Sequence, residues 1–232
     1  MELSIIILCY RAEDSIVEIV EKAQSITSEC CDNYELILVG NYLQGSNDRT
    51  GSIVKKLASE DGRIKAVVLP KEGMMGWDIQ RGLEACSGKV IGYIDGDGQV
   101  PIEGISSCYN FMIESDADLV TTFRITRGDG MIRSIISIIY NTVFSILFPD
   151  VKCRDINAKP KVFKRALINQ ISPKSNDWFI DAEIMIEAYQ LGAKVEEIPI
   201  EFKSLKGRKS FVGLSAIWEF VVNMIRYKWN RK

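Results

Sequence analysis

The chain has 232 residues, 47% of them hydrophobic, with 29 Lys and Arg against 31 Asp and Glu, a net charge of −2, and no histidine. That length suits one sizeable core, and the charge balance gives no broad footprint for nucleic acid. The missing imidazole removes the commonest general base and transition-metal ligand, so any metal should be hard and oxygen-bound.

The first ten residues, "MELSIIILCY", have no basic stretch before their short apolar run and read as a first strand rather than a signal peptide. The six cysteines (Cys9, Cys30, Cys31, Cys86, Cys108, Cys153) form no CxxC pair, which suits a reducing compartment. With no run of about 18 apolar residues, the expected location is cytoplasmic.

Short β-branched runs then alternate with helix-period segments. Leu3 to Cys9, Leu36 to Val39, Ile64 to Leu69, Val90 to Ile94 and Leu119 to Phe123 read as strands. Asp14 to Ser28, Asp48 to Ser59, Trp77 to Cys86 and Ile102 to Ser115 read as the helices between them. This alternation implies an α/β fold with a mostly parallel sheet covered by helices on both faces, which binds ligands outside the carboxyl ends of its strands. After Phe123 the pattern changes. Met131 to Phe148 is apolar nearly all round, "DAEIMIEAYQLG" is a shorter helix closed by Gly192, and "KVEEIPIEF" reads as a strand. Leu214 to Trp229 places Leu214, Trp218, Val221, Ile225 and Trp229 along one amphipathic face. No repeat or low-complexity linker divides the chain, so residues 1–232 are expected to form one domain.

The stretch with the most chemistry is "GKVIGYIDGDGQVP", Gly88 to Pro101. An EF-hand loop from Asp95 fails, because Val100 and Ser106 stand where Gly and Glu are needed. "GLEACSGKV" fails as a P-loop, with five residues between Gly82 and Gly88 and Val90 in place of Ser or Thr. No GxGxxG follows the first strand. An aspartyl-phosphate loop would close the first strand, whereas this one follows the fourth. What is left is either a solvated polar turn or a carboxylate pair, Asp95 and Asp97, that chelates Mg²⁺ or Mn²⁺ together with a diphosphate. Glycines at 96 and 98 let such a ligand approach closely.

"SIIILCYRAEDSI", "GSNDRT", "GMMGWDIQRGLEACSGKVIGYIDGDGQVP", "DINAKPKVFKR" and "DWFIDAEIMIEAYQLGAKVEEIPIEF", in this order, resemble family-2 glycosyltransferases. The resemblance is to their GT-A nucleotide-diphospho-sugar fold and to the dolichyl-phosphate mannose synthase branch, and it covers most of the chain. It implies a nucleotide-sugar-binding half, 1–123, and an acceptor-side half, 124–232, ending in the amphipathic helix. It also implies that Tyr10 and Glu13 line the nucleotide site, with Asn41 at the end of the second strand. Asp95 and Asp97 with Gln99 would hold metal and diphosphate, and Arg208 or Lys209 would contact the pyrophosphate. Arg133 and Ser137, assisted by Arg124, would take an acceptor phosphate. Two departures stand out: Gly40 and Asn41 replace the family's Asp-Asp pair, and Leu8, Arg11 and Ala12 stand where Pro, Asn and Glu are common.

The expected activity is inverting transfer of a sugar from a nucleotide-diphospho-sugar to a polyprenyl phosphate. Alternatives are a sugar-hydroxyl acceptor in polysaccharide or lipopolysaccharide assembly, and a non-catalytic nucleotide-sugar-binding subunit. A hydroxyl acceptor needs a base, for which Asp177 and Asp181 are the candidates, although a carboxylate at a helix start also serves the helix dipole. The Met131 to Phe148 helix is at 1.5 Å per residue about 27 Å long. It suits a core or homodimer helix; resting with the basic C-terminal "RYKWNRK" at the inner face of the membrane is its other use.

Overall fold

The structure, a computed structural model, describes residues 1–125, 131–201 and 222–229. Strands β1 (Leu3–Leu8), β2 (Tyr34–Val39), β3 (Ile64–Val67), β4 (Val90–Asp95), β5 (Leu119–Arg124), β6 (Lys161–Lys164) and β7 (Val195–Ile200) form one sheet in the order β3-β2-β1-β4-β6-β5-β7. Pairings among β1 to β4 are parallel, as is β5 with β7, while β6 runs antiparallel to both β4 and β5.

Every residue of β1 and β2 is buried, as expected of parallel strands covered on both faces. Because side chains alternate, Ile6 and Leu8 enter one core while Leu3, Ile5 and Ile7 enter the other. Helices α1 (Ser15–Cys30), α2 (Thr50–Glu60) and α4 (Glu103–Ser115) cover the second face with Ile16, Val20, Val54, Ile105 and Met112. The first face receives α3 (Met75–Ala85), α5 (Met131–Leu147), α6 (Arg165–Ile171) and α7 (Ile180–Gln190), which supply Ile79, Tyr140, Phe144, Leu167 and Ile184 among others.

Strand β6 and helix α6 lie in the stretch that composition left unassigned. β6 is four residues with a lysine at each end, so it lacks the apolar run that marks a buried strand. Yet Lys161 is fully buried there. A helical segment over 222–229 packs on the end of α5, where Phe148 and Tyr227 meet edge to face at 6.4 Å and Lys228 Nζ donates to the Leu147 carbonyl.

Candidate active site

The register of β1 with β4 sets Asp95 opposite Leu8, the last residue of β1. Gly96 N–H then donates to the Leu8 carbonyl at 2.9 Å, and a Cβ at position 96 would lie 2.9 Å from that same oxygen. Only glycine lets the loop stay this close to β1. At Gly98 the φ of +72° reverses the chain, and Asp97 Oδ1 accepts from Gln99 N–H at 3.0 Å. Asp95 and Asp97 are both half-buried at the mouth of the sheet.

Burial raises the Asp95 carboxyl above its ordinary range; Lys159 opposes this, while Asp97 and Asp181 add to it. The negative charge that Asp97 adds beside Asp95 favours a cation there. Asp95, Asp97 and Gln99 offer side-chain oxygens along one loop, and among the described residues no three His, Cys, Asp or Glu side chains come together as a metal site by themselves. Such a set fits Mg²⁺ or Mn²⁺ sharing its shell with water and phosphate oxygens.

Behind the pair lies a buried charge cluster. Asp181, in the first turn of α7, is fully buried; its Oδ1 accepts from Tyr93 Oη and lies 3.1 Å from Lys161 Nζ. Its Oδ2 accepts from Lys159 Nζ at 3.0 Å, and Lys159 Nζ is also 3.7 Å from Asp95 Oδ2. Burial alone would raise the Asp181 carboxyl, but the two lysines hold it below its ordinary range. Burial likewise disfavours the Lys159 ammonium, and Asp181 and Asp95 more than reverse that. The remaining Lys161 protons go to the carbonyls of Ile156 and Ala158 at 2.9 and 2.6 Å. Asp181 thus sits beneath the floor of the site rather than at its surface.

At the neighbouring strand ends, Arg11 and Glu13 adopt φ of 54° and 47°, the left-handed region that non-glycine residues enter at a cost and that clusters at functional sites. The turn is held by Glu13 N–H donating to Thr50 Oγ1 at 2.9 Å, and Arg49 lies 3.5 Å from the Glu13 carboxylate. Tyr10 meets Lys71, whose Nζ is 4.6 Å from the ring centroid and ion-paired with Asp78. Asn41, fully buried, donates to Asp78 at 2.9 Å and accepts from Leu69 N–H at 2.8 Å. Its amide therefore ties β2 to the chain after β3 and to α3.

Just before α7, Asp177 Oδ1 accepts from Phe179 N–H and Oδ2 from Asn223 Nδ2, each at 2.7 Å. Arg124 grips the buried Asp155 with two bonds, Nε to Oδ2 at 2.6 Å and Nη2 to Oδ1 at 2.9 Å. Arg133 and Ser137 fall within α5, on the part whose side chains lie outside the described set, and Arg208 and Lys209 lie outside the described residues altogether.

Lys159, Lys161, Tyr93, Lys71, Asp78 and Asp155 did not stand out in the sequence. Lysines usually mark solvent, so the only signal for the first two was their density around one proline in "NAKPK". Asp78 looked like an ordinary acidic residue of a helix first turn.

The model of the family described as glycosyl transferase family 2 matches residues 4–167. A dodecaprenyl-phosphate galacturonate synthase from Rhizobium johnstonii is 27% identical over 173 residues, 74% of this chain and 50% of the relative. An undecaprenyl-phosphate 4-deoxy-4-formamido-L-arabinose transferase from Pseudomonas fluorescens is 31% identical over 134 residues, 56% of this chain and 37% of the relative. The chain thus spans half the length, or less, of these two relatives. Among solved structures, glucosyl-3-phosphoglycerate synthase from Mycobacterium tuberculosis, in complex with Mn²⁺, UDP and glucosyl-3-phosphoglycerate, superposes with a TM-score of 0.74 at 16% identity, over 98% of this chain and 79% of that one. That likeness identifies the fold as GT-A. The family match runs from β1 into α6, through the strand-end loop that carries Asp95 and Asp97, and on it the chain belongs to glycosyl transferase family 2.

Proposed function

We propose that the chain is an inverting glycosyltransferase that moves a sugar from a nucleotide-diphospho-sugar to a polyprenyl phosphate of dolichyl type, with Mg²⁺ or Mn²⁺ held by Asp95, Asp97 and Gln99. The observation that carries this reading is the open carboxylate pair at the end of β4, backed by carboxylates that are already committed. Tyr10 and Glu13 line the donor pocket, with Asn41 fixing its floor, and Arg208 or Lys209 meets the diphosphate. The bound metal supplies positive charge against the leaving diphosphate.

The state of Asp177 and Asp181 supports a phosphate acceptor. Both oxygens of Asp177 accept hydrogen bonds, and Asp181 is buried between two ammonium groups. Asp181, fully buried, turns no oxygen toward a sugar hydroxyl, and Asp177 already holds the Phe179 N–H and the Asn223 amide. A phosphate acceptor is ionised near neutral pH and needs no general base. Relatives named for dodecaprenyl and undecaprenyl phosphate support the same choice. Arg124, Arg133 and Ser137 are the residues assigned to the acceptor phosphate.

Among the described residues no helix is long and apolar enough to cross a membrane. Peripheral contact is supported by the outer face of α5, which exposes Ile138, Ile139 and Ile146, and by exposed Trp229 beside Arg226 and Lys228. Apolar and aromatic groups flanked by basic ones suit the interface of an anionic bilayer. On this reading the chain works at the inner face of the membrane, and association of two copies through α5 is the competing use of that surface.

The test is transfer by the purified chain with Mn²⁺ or Mg²⁺, scanning UDP-, GDP- and dTDP-sugars with and without a short polyprenyl phosphate. Product formed only with the lipid phosphate is expected. Metal-dependent donor binding with no lipid product would overturn the acceptor assignment.

A further inference from the structure

We propose that the cleft between α3 and α6 is a second binding site, for a small organic monocarboxylate whose acid group is held by Arg165. The site does not depend on what Asp95 and Asp97 bind.

The cleft encloses about 410 Å³, within the range of pockets that take small organic molecules. Leu83 of α3, Ile168 of α6 and Pro173 just beyond α6 give it apolar wall, while Gln80, Asn169 and Arg165 bring polar groups. Arg165 is anchored through backbone and side chain, its N–H donating to the Lys89 carbonyl at 2.7 Å and its Nε to the Gly88 carbonyl at 2.5 Å. Gly88 and Lys89 lead into β4, and Asp95 ends that strand. The guanidinium is thus fixed at the opposite end of β4, a strand's rise of about 17 Å from Asp95.

What Arg165 lacks is an acceptor for the rest of its fork. Arg49, Arg63, Arg81 and Arg124 each hold a carboxylate. Among the described residues Arg165 holds none, and Nε is its only guanidinium nitrogen with a partner. Nη2 is buried as well as unpaired. A buried donor in this state is costly, and an acceptor brought by a ligand removes the cost.

Charge and wall together define the ligand. A planar carboxylate can accept from Nη1 and Nη2 at once through two parallel bonds. Glu84, which pairs with Arg81 at 2.5 Å, also lines the cleft. A dianion such as a phosphate monoester would therefore meet a negative charge beside a single guanidinium, whereas a monoanion is matched by Arg165 alone. Leu83, Ile168 and Pro173 suit an alkyl or aryl body behind the acid group. Gln80 connects the cleft to the rest of the fold, since its Nε2 donates to the Ser175 carbonyl at 2.8 Å and so ties α3 to the segment before α7.

The experiment is titration of the full chain with phenylacetate and hexanoate at neutral pH and fixed salt. Binding is followed on the probe by saturation-transfer NMR and on the protein by the Arg165 Nε–H resonance of isotope-labelled arginine. At least one probe is expected to bind saturably with a Kd of about 1 mM or tighter and to shift that resonance. Neutral phenylacetamide and dianionic phenyl phosphate are each expected to bind about tenfold more weakly or worse than phenylacetate. Arg165→Gln is expected to weaken the probe by a similar factor. Asn169→Trp, which fills the cleft and leaves Arg165 in place, is expected to do the same, and it decides the matter should Arg165→Gln fail to fold by circular dichroism. Saturating UDP with Mn²⁺ is expected to leave the probe's affinity unchanged. The inference is overturned if neither probe binds, if phenylacetamide or phenyl phosphate binds as tightly as phenylacetate, if binding survives the folded variants, or if UDP with Mn²⁺ displaces the probe.

Discussion

Asn41 Nδ2 donates to Asp78 Oδ1 at 2.9 Å, and both side chains are buried. The second Asp78 oxygen pairs with Lys71, so one carboxylate fastens the end of β2 and the loop after β3 to α3. Neither partner of the ion pair is more than 7% exposed. Removing one member of a buried pair leaves the other desolvated and unmatched. Asp78→Ala is therefore expected to lower stability by about 3–5 kcal/mol, read as a fall in the urea midpoint. Because Lys71 also faces the Tyr10 ring, donor affinity should fall in the same variant; a midpoint shift below about 1 kcal/mol would show the pair to be dispensable.

Gly76 opens α3 against the segment before α7. Its N–H donates to the Asp177 carbonyl at 3.0 Å, and a Cβ there would lie 2.2 Å from the Ser175 carbonyl oxygen and 2.6 Å from that of Asp177. Both obstacles are backbone, which cannot rotate away. Gly76→Ala is expected to cost about 3 kcal/mol by chemical denaturation and, on the proposed assignment of the site, to weaken donor and acceptor binding together, because it pries α3 from the segment before α7. Gly62→Ala is the control, since nothing lies within 4 Å of a Cβ at that position.

The parallel half of the fold was legible because β1, β2 and β4 are buried on both faces, which demands the continuous apolar runs seen in "LSIIIL", "YELILV" and "VIGYI". The Asp95 and Asp97 loop was legible for a similar reason, as charge and glycine interrupt such a run only where the chain leaves the sheet. The buried lysines were not. Lys159 and Lys161 are both stabilised by Asp181, which lies 22 positions beyond Lys159 in the chain, and no local pattern tells a lysine that it will meet a carboxylate from another element. Asp181 illustrates the same limit, since a helix-start carboxylate looks alike whether it faces solvent or two ammonium groups.

Glu35 offers a pH test of the fold away from the site. On β2, with its side chain 2% exposed, its Oε1 accepts from Ser4 Oγ at 2.6 Å and from Ser87 N–H at 2.6 Å, and Oε2 lies 2.7 Å from Lys65 Nζ. Burial raises its pKa, but these partners outweigh it and bring it down from 4.5 to about 2. A carboxyl with a depressed folded-state pKa stabilises the fold above its unfolded value and loses that stabilisation as pH falls. The contribution should be complete above about pH 5 and worth about 3 kcal/mol, the free energy that corresponds to so large a difference between the folded and unfolded pKa. It should vanish as pH drops through about 2. Urea midpoints of wild type and Glu35→Gln should therefore converge between pH 5 and pH 2; a constant gap across that range would show that Glu35 acts through packing rather than charge.

Asp97 separates chemistry from folding. Its carboxylate is half-buried on the loop, and Oδ1 caps the turn by accepting from Gln99 N–H at 3.0 Å. Asparagine keeps an oxygen for that bond and removes the charge. Asp97→Asn is therefore expected to unfold within about 1 kcal/mol of the wild type while losing about 10²- to 10³-fold in kcat, the scale associated with removing one preorganised electrostatic contact to developing charge. Asp181→Asn should do the reverse: it leaves Lys159 and Lys161 buried beside a neutral amide, so stability falls by about 3 kcal/mol or more before any effect on turnover can be read. Comparing thermal midpoints and turnover in the two variants assigns the roles. Full transfer activity in Asp97→Asn would remove the metal from Asp97, and an Asp181→Asn protein that is stable yet inactive would move Asp181 from beneath the site into the reaction itself.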